Sequence, residues 1–157
     1  MKMKRIKKFL VGVVLIGILY VPNIFSEATI GVNVNIKPVL MLEVLTPSHI
    51  YRSAGSSGAL LNTRFNMNEN PVVIRVRLSI PKGQTVQLQV QTNSNNIAWH
   101  AKGKGFQDGI LSKDSPQIMA EFNESGYYEG IVNYYWVNSP SLPQNFTQII
   151  TYTLIIV

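Results

Sequence analysis

From residue 29 onward the chain alternates apolar and polar positions with a period of two. Ile30, Val32, Val34 and Ile36 share one face; Gly31, Asn33 and Asn35 share the other. Successive side chains of a strand point to opposite faces, so residues 29–36 predict a half-buried strand with one wet face. Lys37-Pro38 interrupts it, because Pro has no N–H to give to a ladder. Residues 39–45 are almost continuously apolar and predict a second, more deeply buried strand. Pro47 ends it. Residues 48–58 read as a loop around Ser53-Ala54-Gly55-Ser56-Ser57-Gly58, and residues 59–65 as a short strand.

The clearest alternation lies in residues 72–92. Ile74, Val76, Leu78 and Ile80 alternate with Arg75, Arg77 and Ser79; Val86, Leu88 and Val90 alternate with Gln87, Gln89 and Gln91. Pro81-Lys82-Gly83 between them suits a type I turn, with Pro at i+1 and Gly at i+3. The pattern predicts an antiparallel hairpin with an Arg/Gln outer face. Further strands are expected over residues 97–101, 117–122, 127–137 and 146–157. Gly-rich residues 102–109 and Pro-containing residues 138–145 are expected loops. Seven to nine short strands with Pro/Gly turns, and no amphipathic helix after residue 28, indicate an all-β, immunoglobulin-like antiparallel sandwich. A closed barrel is the alternative.

Residues 1–28 break this pattern. Lys2, Lys4, Arg5, Lys7 and Lys8 precede an uncharged run over residues 9–21, and Pro22-Asn23 and Ser26-Glu27-Ala28 follow. A basic start, a short apolar stretch and small residues at −3 and −1 form a secretory signal, with cleavage expected after Ala28. The run is shorter than the roughly 20 residues that span a bilayer, so a retained N-terminal anchor is the weaker alternative. The expected division is therefore a signal peptide over residues 1–28 and one sandwich domain over residues 29–157. The product is expected in the periplasm, on the cell surface or outside the cell, touching membrane only through its leader before cleavage.

Charge changes the picture once the leader is set aside. Of the formal net charge of +6, the leader's five basic residues and Glu27 account for +4. The remainder carries nine Lys/Arg and seven Asp/Glu, for +2. Those nine are scattered apart from Arg75/Arg77 and Lys102/Lys104, which argues against a nucleic-acid partner, since that needs a clustered basic face. The chain has no Cys, which excludes cysteine nucleophiles, thiolate zinc sites, iron–sulfur clusters and disulfides.

Catalytic signatures are missing too. His49 and His100 are the only histidines, and neither has a second ligand at metal-binding spacing. There is no Gly-x-Ser-x-Gly elbow, and Gly103-Lys104-Gly105 lacks the context of a phosphate loop. A hydrolase would need two of Glu43, Glu69, Asp108, Asp114, Glu121, Glu124 and Glu129 held across a cleft, and nothing marks such a pair. No enzyme and no cofactor are implied. Asn123-Glu124-Ser125 and Asn145-Phe146-Thr147 fit the N-glycosylation pattern.

The aromatic run Tyr127, Tyr128, Tyr134, Tyr135 and Trp136 is the one feature that suggests a surface. Alternation places Tyr128, Tyr134 and Trp136 on one face and Tyr127 and Tyr135 on the other. One face should be core. A wet face would offer flat rings with polar tips to a glycan or a partner protein. Trp99, Tyr127 and Tyr135 are the candidate binding residues on this reading.

Gly126-Tyr127-Tyr128-Glu129-Gly130-Ile131-Val132 resembles the Gly-x-Tyr-x-Gly-x-Val strand of bacterial surface β-sandwich domains, fimbrial subunits among them. The alternating strand, Lys-Pro and apolar run over residues 29–45 is similar to the start of cysteine-free fimbrial subunits. The resemblance implies an immunoglobulin-like fold, export and assembly at the cell surface, with no catalytic residues to carry over. It also implies that Ile30, Val32, Val34 and Ile36 could be offered to a neighbouring subunit, itself or another surface protein, by strand addition. One departure bears on assembly. About 25 residues follow Val132, and their last strand could fill the groove that a fimbrial subunit leaves open. The leading expectation is an exported, non-catalytic structural or binding protein of the bacterial envelope; the alternative is a carbohydrate- or ligand-binding module using exposed aromatics.

Overall fold

A computed structural model describes residues 37–66, 69–138 and 147–157. The leader over residues 1–28 and the expected strand over residues 29–36 lie outside the described residues. So does nearly all of the expected loop over residues 138–145. The described residues are all-β, with no helix, in ten strands: β1 Val39–Leu45, β2 Ile50–Gly55, β3 Gly58–Asn66, β4 Val72–Ser79, β5 Val86–Thr92, β6 Ile97–Lys102, β7 Gly109–Ile110, β8 Gln117–Phe122, β9 Gly126–Trp136 and β10 Thr147–Ile156.

The strands form two antiparallel sheets, consistent with a β-sandwich. The larger has the order β2-β1-β4-β9-β6-β7 and the smaller β3-β10-β5-β8. Each long strand sends alternate side chains inward. Leu40, Leu42 and Val44 of β1 and Ile74, Val76 and Leu78 of β4 meet Leu88 and Val90 of β5 and Ile150, Tyr152 and Leu154 of β10 in one buried cluster. Each aliphatic side chain among them contributes about 1.5–3 kcal/mol on burial.

Two expectations are corrected. Residues 72–80 and 86–92 do not form a hairpin: β4 pairs with β1 and β9, whereas β5 pairs with β10 and β8. The chain crosses between sheets over residues 80–85. Ser125 latches the start of that arch, its hydroxyl accepting from Ile80 N–H and donating to Ile80 O. The turn sits one residue later than expected, with Gln84 N–H donating to Pro81 O and Gly83 at φ +88° in the position that favours glycine. Two amphipathic strands around a Pro-Gly turn look the same in sequence whether they pair or face each other across a core. Likewise residues 48–58 are not one loop. Residues 50–55 form β2, paired with β1 over Leu40↔Gly55 to Leu45↔Ile50, and turn directly into β3.

Glycines and one asparagine make the aromatic core fit. The Phe106 ring lies where a Cβ on Gly130 would be, and it packs edge-on to Phe122 at 5.8 Å. Gly109 leaves the corresponding space for the Trp99 indole. Pro71 cannot donate to β9, so the Asn70 side chain extends the ladder instead: it donates to Tyr134 O and accepts from Tyr134 N–H. Hydrogen bonds link the two sheets on both flanks. Residues 105–107 pair alongside β8 through Glu121 N–H to Gly105 O and Gln107 N–H to Met119 O. On the other flank Tyr51 OH donates to Arg64 O.

Candidate functional site

The outer face of the larger sheet is built from residues that alternate with the core. Strand register places Arg52 of β2 beside Glu43 of β1, Glu43 beside Arg75 of β4, and Arg75 beside Glu129 of β9. These four form a row of alternating charge across four strands. Arg52 Nε lies 2.5 Å from Glu43 Oε1, and Arg75 Nε lies 2.9 Å from Glu129 Oε2. Tyr127 OH donates to the same Glu129 oxygen at 3.3 Å. The Arg75 hydrogen bond holds the Glu129 carboxyl below its usual range, and Glu129 in turn holds Arg75 more firmly protonated.

Apolar rows flank the charges. On one side run Ile50, Leu45, Val73 and Ile131; on the other run Ala54, Met41, Arg77 and Tyr127. Two rows beyond Ile131, Tyr135 lies beside Ala98, and Ala98 beside Ile110. Tyr127 and Tyr135 are 60% and 50% exposed, and Ile50 and Ile131 are also exposed. Met41, Glu43, Arg75, Arg77 and Tyr127 line a shallow depression of about 330 Å³. The expected split of the aromatic strand is seen in β9: Tyr128 and Tyr134 are buried, and Tyr127 and Tyr135 face out.

The expectation for Trp99 is corrected. It is 1% exposed, and its indole N–H donates to Gln107 O at 2.7 Å, so its ring is a core element with no face open to a ligand. Ile30, Val32, Val34 and Ile36 lie outside the described residues. Asn123 sits in an exposed turn, and Asn145 lies outside the described residues.

A second, polar depression of about 450 Å³ opens beside β2 and β3, lined by His49, Tyr51, Asn62, Arg64, Asn66, Glu69 and Thr147. Ser48 Oγ donates to Glu69 and lies 2.8 Å from His49 Nδ1, while the His49 ring stacks on Tyr51 at 5.9 Å. In this arrangement the carboxylate orients the serine and not the imidazole, unlike an acid–His–Ser relay. His100 is distant in the chain and pairs with Asp108 at 2.8 Å. The Ala101 N–H, and secondarily His100, hold Asp108 below its usual range. Among the described residues no cluster of three His, Asp or Glu could hold a metal ion.

No protein-family model, curated protein or solved structure matches the chain.

The charge row was not visible in sequence. Glu43, Arg75 and Glu129 do alternate with apolar residues and so signal an outward face. Their alignment depends on pairing between segments more than thirty residues apart. Arg52 and the Tyr51 depression fell in a stretch read as loop.

Proposed function

We propose that this chain is exported by residues 1–28 and serves, without catalysing a reaction, as a structural or binding protein of a bacterial envelope or cell surface. On this reading the domain is immunoglobulin-like. The observation that carries the binding role is the outer face of the larger sheet, where exposed Tyr127, Ile131, Met41 and Tyr135 surround paired charges on rigid strands. Exposed aromatic and apolar groups beside charges already paired on the same face are a mixture found at non-obligate protein-contact surfaces.

The position of β10 bears on assembly. It lies between β3 and β5, inside the smaller sheet. That supports a domain completed by its own last strand, with strand addition through Ile30, Val32, Val34 and Ile36 as an additional contact and not a requirement for folding.

Export is tested by producing the full chain in a bacterium, separating the compartments and sequencing the mature N-terminus. The expected product begins at Thr29 outside the cytoplasm. A full-length chain retained in the cytoplasm would overturn the reading.

A second reading is favoured by the 330 Å³ depression beside Tyr127: a glycan ring could stack there, with Arg77 and Glu43 reaching its hydroxyls. Glycan-array binding that disappears in Tyr127→Ala supports it; no glycan signal above that of the variant removes it.

A further inference from the structure

We propose that the outer face of the larger sheet docks on the same face of a second copy of this chain, about a twofold axis parallel to the strands and midway between β1 and β4.

Across β2, β1, β4 and β9 the charged row reads Arg52, Glu43, Arg75, Glu129. It is positive, negative, positive, negative. A twofold axis along the strands reverses left and right but preserves position along the strand. The same row on the second copy is then met in reverse order. Arg52 faces the second copy's Glu129, and Glu43 faces its Arg75, twice over by symmetry. An in-plane axis perpendicular to the strands would set Arg52 on Arg52 and Glu43 on Glu43. Charge complementarity therefore selects one of the two face-to-face arrangements, and it fixes register more than it adds affinity.

The apolar rows obey the same operation. In the row Ile50, Leu45, Val73, Ile131, Ile50 meets Ile131 of the second copy and Leu45 meets its Val73. In the row on the other side of the charges, Tyr127 meets Ala54, a large ring over a small residue. Met41 meets the aliphatic stem of Arg77, and Arg77 meets no like charge. Every row is thus matched by the axis that the charges choose.

The area suits a weak, reversible dimer. With strands about 4.8 Å apart and same-face residues about 6.7 Å apart, four strands and three rows make a tile of about 20 by 20 Å. That is about 400 Å² from each copy and about 800 Å² in total, the size of a transient contact. The side chains of Ile50, Tyr127 and Ile131, each more than 40% exposed, would leave water on docking. Two sheets so stacked lie about 10 Å apart, the spacing of a sandwich interior.

Self-docking rests on the surface-protein reading and deepens it by naming the partner. The two fail separately: a chain kept in the cytoplasm yet dimeric overturns export alone, and an exported monomer overturns docking alone.

The test is sedimentation equilibrium of the full chain and three variants, with circular dichroism to confirm that each is folded. Wild type is expected to dimerise. Glu43→Arg sets the introduced guanidinium against the second copy's Arg75, twice by symmetry, and should weaken dimerisation at least about tenfold. The double swap Glu43→Arg/Arg75→Glu restores opposite charges across the axis and should return to within about threefold of wild type. Within one chain, both variants leave one favourable and two unfavourable neighbour contacts in the row. Intrachain electrostatics therefore cannot produce the rescue. Ile131→Lys, in the apolar row, should weaken dimerisation without touching the charge row. A wild-type monomer at millimolar concentration overturns the proposal, as does equal behaviour of the single and double swaps. Loss of the dimer on deleting residues 29–36 assigns association to strand addition instead and also overturns it.

Discussion

Tyr152→Phe should destabilise the protein, whereas Tyr152→Phe combined with Tyr134→Phe should not. Tyr134 of β9 and Tyr152 of β10 join the two sheets through hydroxyls 2.7 Å apart, at 2% and 1% exposure. One hydroxyl donates and the other accepts. Removing one oxygen strands the other in the core, which costs about 1–3 kcal/mol. Removing both leaves two rings of nearly unchanged shape, one of which still meets Phe65 edge-on at 5.2 Å, and should be close to neutral. Urea unfolding of wild type, both single variants and the double variant closes the cycle. Each single variant should lower the midpoint by about 1 M if unfolding follows a slope of about 1–3 kcal/mol per M. The double variant should lie near wild type. A double variant as unstable as the sum of the singles would refute the reasoning, because the hydroxyl pair would then be a net asset. Alkali offers a second readout. Burial pushes the Tyr152 hydroxyl, and the Tyr134 hydroxyl even more clearly, above the ordinary value of 10.0. Only the unfolded chain then ionises these groups readily, so they cost the folded state nothing below about pH 10 and lower its stability as pH rises above it. The wild type should lose stability between about pH 9 and 11 more steeply than the double variant.

Three further outcomes follow from named contacts. Gly130→Ala places a methyl group against the Phe106 ring and should cost about 1–3 kcal/mol in thermal unfolding, by overpacking; an unchanged melting temperature would show that Phe106 can move aside. In Trp136→Phe the sole remaining indole is Trp99, which is buried and hydrogen-bonded to Gln107 O. Its emission should be blue-shifted and resistant to acrylamide, and free quenching would contradict its place in the core. Glu129 is held below the ordinary carboxyl value of 4.5, first by its hydrogen bond to Arg75. Its contribution is present above that value and lost as pH falls through the lowered one, so acid titration of stability should flatten in Glu129→Gln relative to wild type.

Much of the strand pattern was legible because a period of two is a local property. Residues 39–45 and 117–122 form strands with the predicted limits, and residues 59–65, 127–137 and 146–157 form strands shifted by no more than a residue or so at either end. Tyr127 and Tyr135 could be placed outside the core for the same reason. Burial of one face of β9 forces the other face outward. Trp99 illustrates the limit. Ile97, Trp99 and Ala101 alternate with Ala98, His100 and Lys102, but over six residues the pattern does not say which face is core, and the Gly109 gap and the loop carrying Gln107 decided that the ring lies inside. The short β2 was missed since Tyr51-Arg52-Ser53-Ala54 has no apolar alternation; among the described residues it is an edge strand, paired to β1.

By itself the sequence determined most of the segments that extend, which of their faces turn to the core, and that no disulfide supports the fold. Only the tertiary structure decided how those segments pair. The stretch over residues 72–92 carries the same alternation for a hairpin as for two strands in opposite sheets, and the arch latched by Ser125 chose the second. The charge row from Arg52 to Glu129 arises the same way. Period-two patterning sets the direction of a side chain, but strand order and register set its neighbour, and these depend on contacts between residues far apart in the chain.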